Sequence, residues 1–277
     1  RQMCIRDRNQ VKRGGLCKEI EDNNNESQYF LVDKEKEYGP YDKVNRLHHG
    51  YKTEVQTDKG YLYGYVDDEK GEVVLPIYES LKPDYDYYKH KVVGFIFANG
   101  TNLGYLDENG KQVVPAKYYA IGRVKNGFSV GHLDEERQRQ QDEKPLYDWE
   151  KKIYLNMGFC DENGNEVIPC KYYAVRKVLG IYVFQMEKKG RYGVLNEKGE
   201  EIMPCNYDSI SISKNLIIAE QNGKFGLFDR TGKAVTPIIY DKIKADKNGI
   251  DLVSEDGNVQ HLDDNSRFFD NIDYELY

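Results

Sequence analysis

The chain has 277 residues, of which 39% are hydrophobic and 31% charged, and its formal net charge is −7 at pH 7. Its apolar runs fall short of the ~20 residues that a membrane-spanning helix needs, so no membrane span is expected. The acidic balance leaves no concentrated Lys/Arg surface to neutralise phosphates, so nucleic acid is not an expected partner. The 24 tyrosines favour strands, because aromatic residues fit a half-buried pleated surface.

Metal and cofactor sites are not expected. The five cysteines include no CxxC pair, which argues against a zinc site and against a disulfide framework. His48 and His49 are adjacent, and adjacent side chains on a strand point to opposite faces, so they are not expected to share a metal ion. No phosphate-binding loop, dinucleotide fingerprint or nucleophile elbow occurs.

Residues 1–28 are predicted to form an N-terminal arm. Residues 1–8, RQMCIRDR, resemble translated sequencing-adapter sequence, so the N-terminus is expected to be incomplete. The compartment is therefore not fixed by the sequence, with the cytoplasm favoured over export. Residues 9–25 are polar and are predicted to be a loop or a frayed arm. A single β-repeat domain is expected over residues 29–277, with order beginning near Tyr29.

One pattern recurs five times along the chain, and the stretch Tyr192–Tyr207, YGVLNEKGEEIMPCNY, shows it in full. A glycine follows a large apolar residue, and a tyrosine stands fourteen residues later. The glycine–tyrosine pairs are Gly64 and Tyr78, Gly104 and Tyr118, Gly158 and Tyr172, Gly193 and Tyr207, and Gly226 and Tyr240. Each interval also holds a turn glycine and a proline. Such self-similarity indicates a repeat architecture.

Each repeat is predicted to be a three-stranded β-meander, because its apolar runs are short and bounded by glycine turns. In the fourth copy the strands are expected at Ile181–Phe184, Tyr192–Leu195 and Glu201–Met203, the last stopped by Pro204, which cannot donate to a ladder. A short fourth strand is possible after the tyrosine. Degenerate copies at Gly39–Val44 and Leu252–Ile272 bring the total to six or seven units. The meanders form either a propeller-like ring or an open β-superhelix.

An insertion over residues 134–152 interrupts one copy. The interval from Gly104 to Gly158 is 54 residues, whereas that from Gly158 to Gly193 is 35. The inserted segment is polar and carries the only tryptophan of the chain. Because repeat proteins place insertions in loops, often on a binding face, Tyr147 and Trp149 are candidate binding residues. The alternative is a loop whose Trp149 packs back on the domain.

The pattern resembles the WG-containing repeat of bacterial proteins over roughly Tyr29–Ile272. The tryptophan that names the repeat is replaced by large apolar residues, namely Tyr63, Leu103, Met157, Tyr192 and Phe225. The resemblance implies an all-β repeat array with a binding or scaffolding role. It supplies no catalytic residues.

The repeated residues are interpreted as structural. A strand glycine allows close approach of a neighbour or marks a bulge, and the repeated tyrosine is expected to pack between adjacent units. The acidic turn at Asp161–Glu166 is too short for an EF-hand loop and is expected to be an ordinary β-turn.

The sequence therefore predicts a non-catalytic repeat module that binds a protein or peptide partner. A carbohydrate or cell-envelope binding module is the alternative, because Tyr-rich strands could present stacking faces. A hydrolase with scattered carboxylates is a third possibility, and it requires a pocket in which two acids of perturbed pKa converge.

Overall fold

A computed structural model describes residues 16–21, 27–33, 36–142, 152–213, 215–246 and 249–263 of the protein. These residues form β-strands and a single short helix, so the all-β prediction is confirmed. None of the helical structure in these ranges is long and apolar enough to cross a membrane. The chain groups into two compact units. The first ends at Ile121 and takes in Glu162–Gly164, and the second comprises Gly122–Asp161 and the chain from Asn165 onward.

In the first unit the strands form three antiparallel sheets, in which strands consecutive in sequence pair with each other. Sheet A contains β1 (Leu16–Glu21), β2 (Ser27–Asp33) and β3 (Lys36–Tyr41). Sheet B contains β4 (Lys43–Leu47), β5 (Gly50–Thr57), β6 (Gly60–Asp67) and β7 (Gly71–Tyr78). Sheet C contains β8 (Ser80–Asp86), β9 (Lys91–Asn99), β10 (Asn102–Asp107) and β11 (Gln112–Tyr118).

The remaining strands form four further meanders. Sheet D contains β12 (Ala120–Val124), β13 (Gly127–Leu133), β14 (Leu155–Cys160) and β15 (Glu166–Tyr172), with helix α1 (Glu135–Asp142) after β13. Sheet E contains β16 (Ala174–Val178), β17 (Ile181–Gln185), β18 (Tyr192–Leu195) and β19 (Glu201–Tyr207). Sheet F contains β20 (Ser209–Ile212), β21 (Leu216–Gln221) and β22 (Lys224–Asp229). Sheet G contains β23 (Lys242–Asp246), β24 (Gly249–Val253) and β25 (Val259–Asp263).

The tandem-meander prediction is confirmed, and the possible fourth strand is present. After each repeat tyrosine the chain turns and begins the first strand of the next sheet. In this way β7 ends at Tyr78 and β8 starts at Ser80. The degenerate first copy is also confirmed, because Tyr29 pairs with Tyr41 in sheet A as Tyr63 pairs with Tyr78 in sheet B.

The prediction that residues 9–25 form a loop or a frayed arm is wrong for the part that the structure describes. Strand β1 pairs with β2 from Leu16 to Glu21, inside the segment predicted to be a loop. Cys17 packs against a core that contains Leu31, Tyr41 and Val66. Pairing with the adjacent strand and this packing therefore override the polar composition of the segment.

The prediction that Pro204 stops its strand is also wrong. Strand β19 continues through Pro204 to Tyr207. It is the last strand in the order of sheet E, so one of its sides has no partner strand in that sheet. Proline is tolerated on such an edge because the N–H that it lacks would not be needed there.

The repeat glycine lies in a bulge, as predicted. Tyr192 pairs with Tyr207 and Val194 with Met203, so three residues of β19 lie opposite Gly193 alone. A Cβ at Gly193 would lie 2.5 Å from Cζ of Phe184 and 2.9 Å from the carbonyl oxygen of Met203. A side chain therefore does not fit at this position.

The acidic turns are β-turns closed by a left-handed glycine. In the turn of sheet C, Gly110 has φ of 77° and donates its N–H to the Asp107 carbonyl at 3.0 Å. The Asp107 carboxylate accepts the N–H of Lys111 at 2.9 Å. The carboxylate of Asp161 likewise accepts the N–H of Asn165 at 2.8 Å, so it caps its own turn, as the β-turn interpretation predicts.

The repeat tyrosines pack between neighbouring sheets, which confirms their structural interpretation. The ring of Tyr78 in sheet B lies 4.7 Å from that of Phe97 in sheet C. In the second unit the ring of Tyr172 lies 4.8 Å from that of Phe184. Tilted ring pairs at these distances add to the stabilisation from burial.

We predict that Gly193→Ala destabilises the second unit by about 2 kcal/mol, because the added methyl overpacks against Phe184 and the backbone of β19. The matched control is Gly122→Ala in β12, where a Cβ would meet no atom within 4 Å. Chemical denaturation of both variants measures the difference. Equal stabilities would contradict the close-approach role of Gly193.

Candidate functional site

The candidate residues predicted in the insertion, Tyr147 and Trp149, lie outside the described residues. The described part of the insertion begins with α1, directly after β13 of sheet D. Asp134 caps this helix, since its carboxylate accepts the N–H of Arg137 at 3.0 Å. The guanidinium of Arg137 also lies 6.0 Å from the ring centroid of Tyr173. The insertion therefore starts as a capped helix, where the sequence predicted a loop.

A second candidate site lies in the first unit, at one end of sheets B and C. We call it the B–C cleft. Its volume is about 780 Å³, and four turns surround it: β4–β5, β6–β7, β8–β9 and β10–β11. In a four-stranded meander the first and third turns lie at the same end of the sheet, which brings these four turns together. The lining residues are Arg46, His48, His49, Asp67, Asp68, Glu69, Lys70, His90, Lys91, Val92, Phe95 and Glu108.

The floor of the B–C cleft is part of the hydrophobic core between the two sheets. Phe95 and Val92 are buried, and the ring of Phe95 lies 5.0 Å from that of Tyr65. The Tyr65 hydroxyl has no hydrogen-bond partner among the described residues. Burial raises the pKa of Tyr65 far above its ordinary value, so the hydroxyl stays neutral. The floor is thus a fixed, packed surface.

Ion pairs form the walls of the B–C cleft. Arg46 binds Asp68 with both guanidinium nitrogens, one of them at 2.8 Å, and this hydrogen bonding raises the pKa of Arg46. Lys91 donates to Glu108 at 2.9 Å, and Lys70 lies 3.8 Å from the same carboxylate. The hydrogen bond from Lys91 lowers the pKa of Glu108, so that carboxylate stays ionised.

Three of the five histidines in the chain line the B–C cleft. The expectation that His48 and His49 point to opposite faces is wrong, because the pair occupies the β4–β5 turn, where strand alternation does not apply. Their rings stack 4.5 Å apart with an interplanar angle of 3°. Among the described residues, no three or more His, Cys, Asp or Glu side chains are placed to hold a metal ion.

The β8–β9 turn at the rim of the cleft presents two tyrosines to solvent. Tyr87 is 83% exposed and Tyr88 is 98% exposed. The Asp86 carboxylate accepts the N–H of Tyr88 and of Lys89, each at 3.0 Å, so the turn has a defined backbone. This surface was missed in the sequence. The length of the turn could have revealed it. The β8–β9 turn has four residues, three of them with rings, whereas the corresponding β12–β13 turn has two residues.

The corresponding end of the second unit carries a smaller hollow. A hollow of about 340 Å³ there is lined by Lys125, Asn126, Lys177, Leu179 and Gly180. Arg230 donates to the carbonyl oxygens of Ser213, at 3.1 Å, and of Leu179, and so ties two turns together. At the same turn position sheets B, C, D and E carry Asp68, Glu108, Glu162 and Glu197, whose ionised carboxylates cannot donate to carbonyls in this way.

Four segments of the chain match the family model described as WG containing repeat, at residues 104–130, 157–178, 192–225 and 225–258. This match confirms the resemblance drawn from the repeat. No curated protein matches the chain significantly.

Solved structures with similarity to this chain include three proteins at low identity. The WD40 β-propeller domain of Doa1 is 10% identical, with 84% of this chain and 77% of that chain covered and a TM-score of 0.25. A eukaryotic initiation factor is 11% identical, with coverages of 78% and 60% and a TM-score of 0.32. Hsv2p of Kluyveromyces lactis is 10% identical, with coverages of 76% and 67% and a TM-score of 0.28.

We predict that the double substitution Tyr87→Ser/Tyr88→Ser changes the free energy of unfolding by no more than about 0.5 kcal/mol, because both side chains lie in solvent. Tyr207→Ser is the contrasting variant. Its ring is buried and meets Phe228 edge-on at 5.7 Å, so we expect a loss of about 3 kcal/mol. Thermal or chemical unfolding measures both. A large loss in the double variant would show that the exposed tyrosines serve the fold.

Proposed function

Because the chain carries WG-containing repeats, we propose that it is a non-catalytic repeat module that binds a protein or peptide partner. The observation that carries the proposal is the pair Tyr87 and Tyr88, almost fully exposed at the rim of the B–C cleft. Tyrosine is among the residues that dominate binding energy at protein interfaces. Contiguous exposed apolar surface marks interaction sites in soluble proteins, and two adjacent exposed rings contribute to such a surface.

The positions of the repeat residues support this choice over a carbohydrate-binding module. That alternative depended on rows of tyrosine faces available for stacking. The repeat tyrosines Tyr118, Tyr172, Tyr207 and Tyr240 are buried, so they present no such row to solvent.

The electrostatics of the B–C cleft support a non-catalytic role. A hydrolase would need two convergent acids, one of them protonated near neutral pH. Glu108 has a lowered pKa, and Asp68 is bound on both oxygens by Arg46. Both carboxylates are committed to ion pairs. This commitment favours recognition over acid–base chemistry.

The insertion of sheet D remains part of the proposal as a second contact. Its first segment, α1, is capped by Asp134 and places Arg137 beside Tyr173. Tyr147 and Trp149 are the residues that we propose to test there.

We predict that a photo-cross-linking residue, p-benzoylphenylalanine, at position 88 yields a discrete covalent adduct when the full chain is irradiated in a native lysate. The matched control is the same residue at Leu179, which is exposed in the corresponding β16–β17 turn of sheet E. A third variant carries it at Trp149. Mass spectrometry identifies the partner of each adduct.

An adduct at position 88 that is absent at position 179 is the expected result. An adduct only at position 149 would support a binding module whose contact lies in the insertion. If neither position gives an adduct above the level at position 179, the proposed function is wrong.

A further inference from the structure

We propose that a hollow in the second unit binds a small oxyanion, a carboxylate or a phosphate, that carries a short apolar group. We call it the D–E hollow. It has a volume of about 340 Å³ and is lined by Lys125, Asn126, Lys177, Leu179 and Gly180. All five residues belong to the second unit. The inference is independent of the proposed function and concerns another ligand. Two lysines without an ion pair and one exposed leucine carry it.

The lining of the D–E hollow is positively charged. It holds two lysines and no carboxylate, and the amide of Asn126 adds two hydrogen-bond donors. In the part of the chain that the structure describes, Lys125 and Lys177 form no ion pair. The B–C cleft differs, because its Lys91 donates to Glu108 at 2.9 Å. Both ammonium groups of the D–E hollow therefore keep donors for the oxygens of a ligand.

Packing fixes the position of Lys177. It pairs across sheet E with Tyr182, and its ammonium lies 5.4 Å from the centroid of that ring. The same ammonium lies 5.2 Å from the ring centroid of Phe159 in sheet D. Both rings are buried, and they pack edge-on at 5.0 Å. Ring faces attract a cation without neutralising it, so the charge of Lys177 is held at the hollow and stays available to an anion.

The carboxylates near the D–E hollow are engaged with the fold. Glu197 lies beside Gly180 and interacts with the half-buried guanidinium of Arg230. Arg230 itself donates to two backbone carbonyls. The Asp161 carboxylate accepts the backbone N–H of Asn165 at 2.8 Å and its side-chain amide at 2.9 Å. A ligand in the hollow thus meets the two lysines and not these acids.

Leu179 supplies the apolar part of the site. It forms with Gly180 the two-residue turn between Val178 and Ile181, which pair with each other. The φ angles of Leu179 and Gly180 are 45° and 95°, as a type I′ turn requires. Such turns favour asparagine and glycine, and a bulky residue with positive φ is disfavoured. The leucine is nevertheless present and 57% exposed. Residues in disfavoured backbone regions cluster at ligand sites, and this one offers a contact for a short apolar chain.

The size and the donors of the D–E hollow define the class of ligand. Its volume is at the small end of the range of roughly 300–1,000 Å³ that small-molecule sites occupy. Ammonium and amide groups donate to any oxyanion. The lining contains no arginine, whose two-pronged geometry would select phosphate. Carboxylate and phosphate therefore share the chemistry that this site recognises.

The test is an NMR titration of the ¹⁵N-labelled full chain, in which the amide signals of Asn126 and Gly180 report on the D–E hollow. The probes are butyrate and inorganic phosphate, with butylamine and butanol as the cationic and neutral counterparts. We expect saturable shifts with at least one of the two anions and none with the counterparts. The affinity should weaken several-fold between about 50 and about 200 mM NaCl, because salt screens the attraction.

Two variants locate the binding. Lys125→Gln/Lys177→Gln should lower the affinity for the anion roughly five- to tenfold. The matched control is Lys59→Gln/Lys198→Gln, which removes two exposed lysines from other turns and should leave the affinity unchanged. Leu179→Asn suits the left-handed backbone and so preserves the turn. If butyrate binds, this variant should weaken it roughly threefold without affecting phosphate.

Three results would overturn the inference: no saturable shift at Asn126 and Gly180 with either anion, equal binding of butylamine, or an unchanged affinity in Lys125→Gln/Lys177→Gln. Binding of butyrate alone or of phosphate alone supports the site and identifies its oxyanion. The photo-adduct at position 88 does not involve these lysines, so a failure here leaves the proposed function standing.

Discussion

The close approach of two strands at the repeat glycine is the constraint on which the rest of the structure depends. In sheet E the carbonyl of Met203 and the ring of Phe184 fill the space that a side chain of Gly193 would occupy. Three residues of β19 then lie opposite this one glycine, and the bulge brings Tyr207 into register with Tyr192. This geometry explains why the repeat glycine and the repeat tyrosine are always fourteen residues apart in the sequence.

The same constraint explains why the namesake tryptophan can be replaced. The residue before the glycine pairs across the sheet with the repeat tyrosine, as Leu103 pairs with Tyr118 and Met157 with Tyr172. These residues are only half-buried, so several large apolar side chains satisfy the position. The glycine and tyrosine positions accept fewer residue types. The glycine position has no room for a side chain, and the tyrosine ring fills a gap between sheets.

Much of the fold was predictable from the sequence because its information is local and repeated. Strand β18, the turn glycines and the inter-sheet packing of the tyrosines all follow from a pattern that five copies confirm independently. The predictions that were wrong, for strand β1 and for Pro204, have another origin. Strand β1 depends on a core that reaches Val66 of sheet B, and Pro204 is tolerated because its strand is the last of its sheet. Neither fact can be obtained from a single repeat.

The candidate site was not predictable for the same reason. Its residues come from four turns between His48 and Glu108, and only the meander topology brings them to one end of two sheets. The rings of His48 and His49 stack because they occupy a turn, which the pattern of adjacent residues did not reveal. The predicted residues Tyr147 and Trp149 remain untested predictions.

The central claim is that repeat residues build the fold while the turns that depart from the repeat bind the partner. It is tested most directly by measuring the unfolding free energy and the yield of the photo-adduct at position 88 on the same variants of the first unit. We predict that Gly104→Ala and Tyr78→Ser lower stability and leave the adduct yield of the folded protein unchanged, since both positions face Phe97. Tyr87→Ser should lower the adduct yield at constant stability. Folded Gly104→Ala or Tyr78→Ser protein that no longer gives the adduct, together with a full adduct yield in Tyr87→Ser, would contradict the claim.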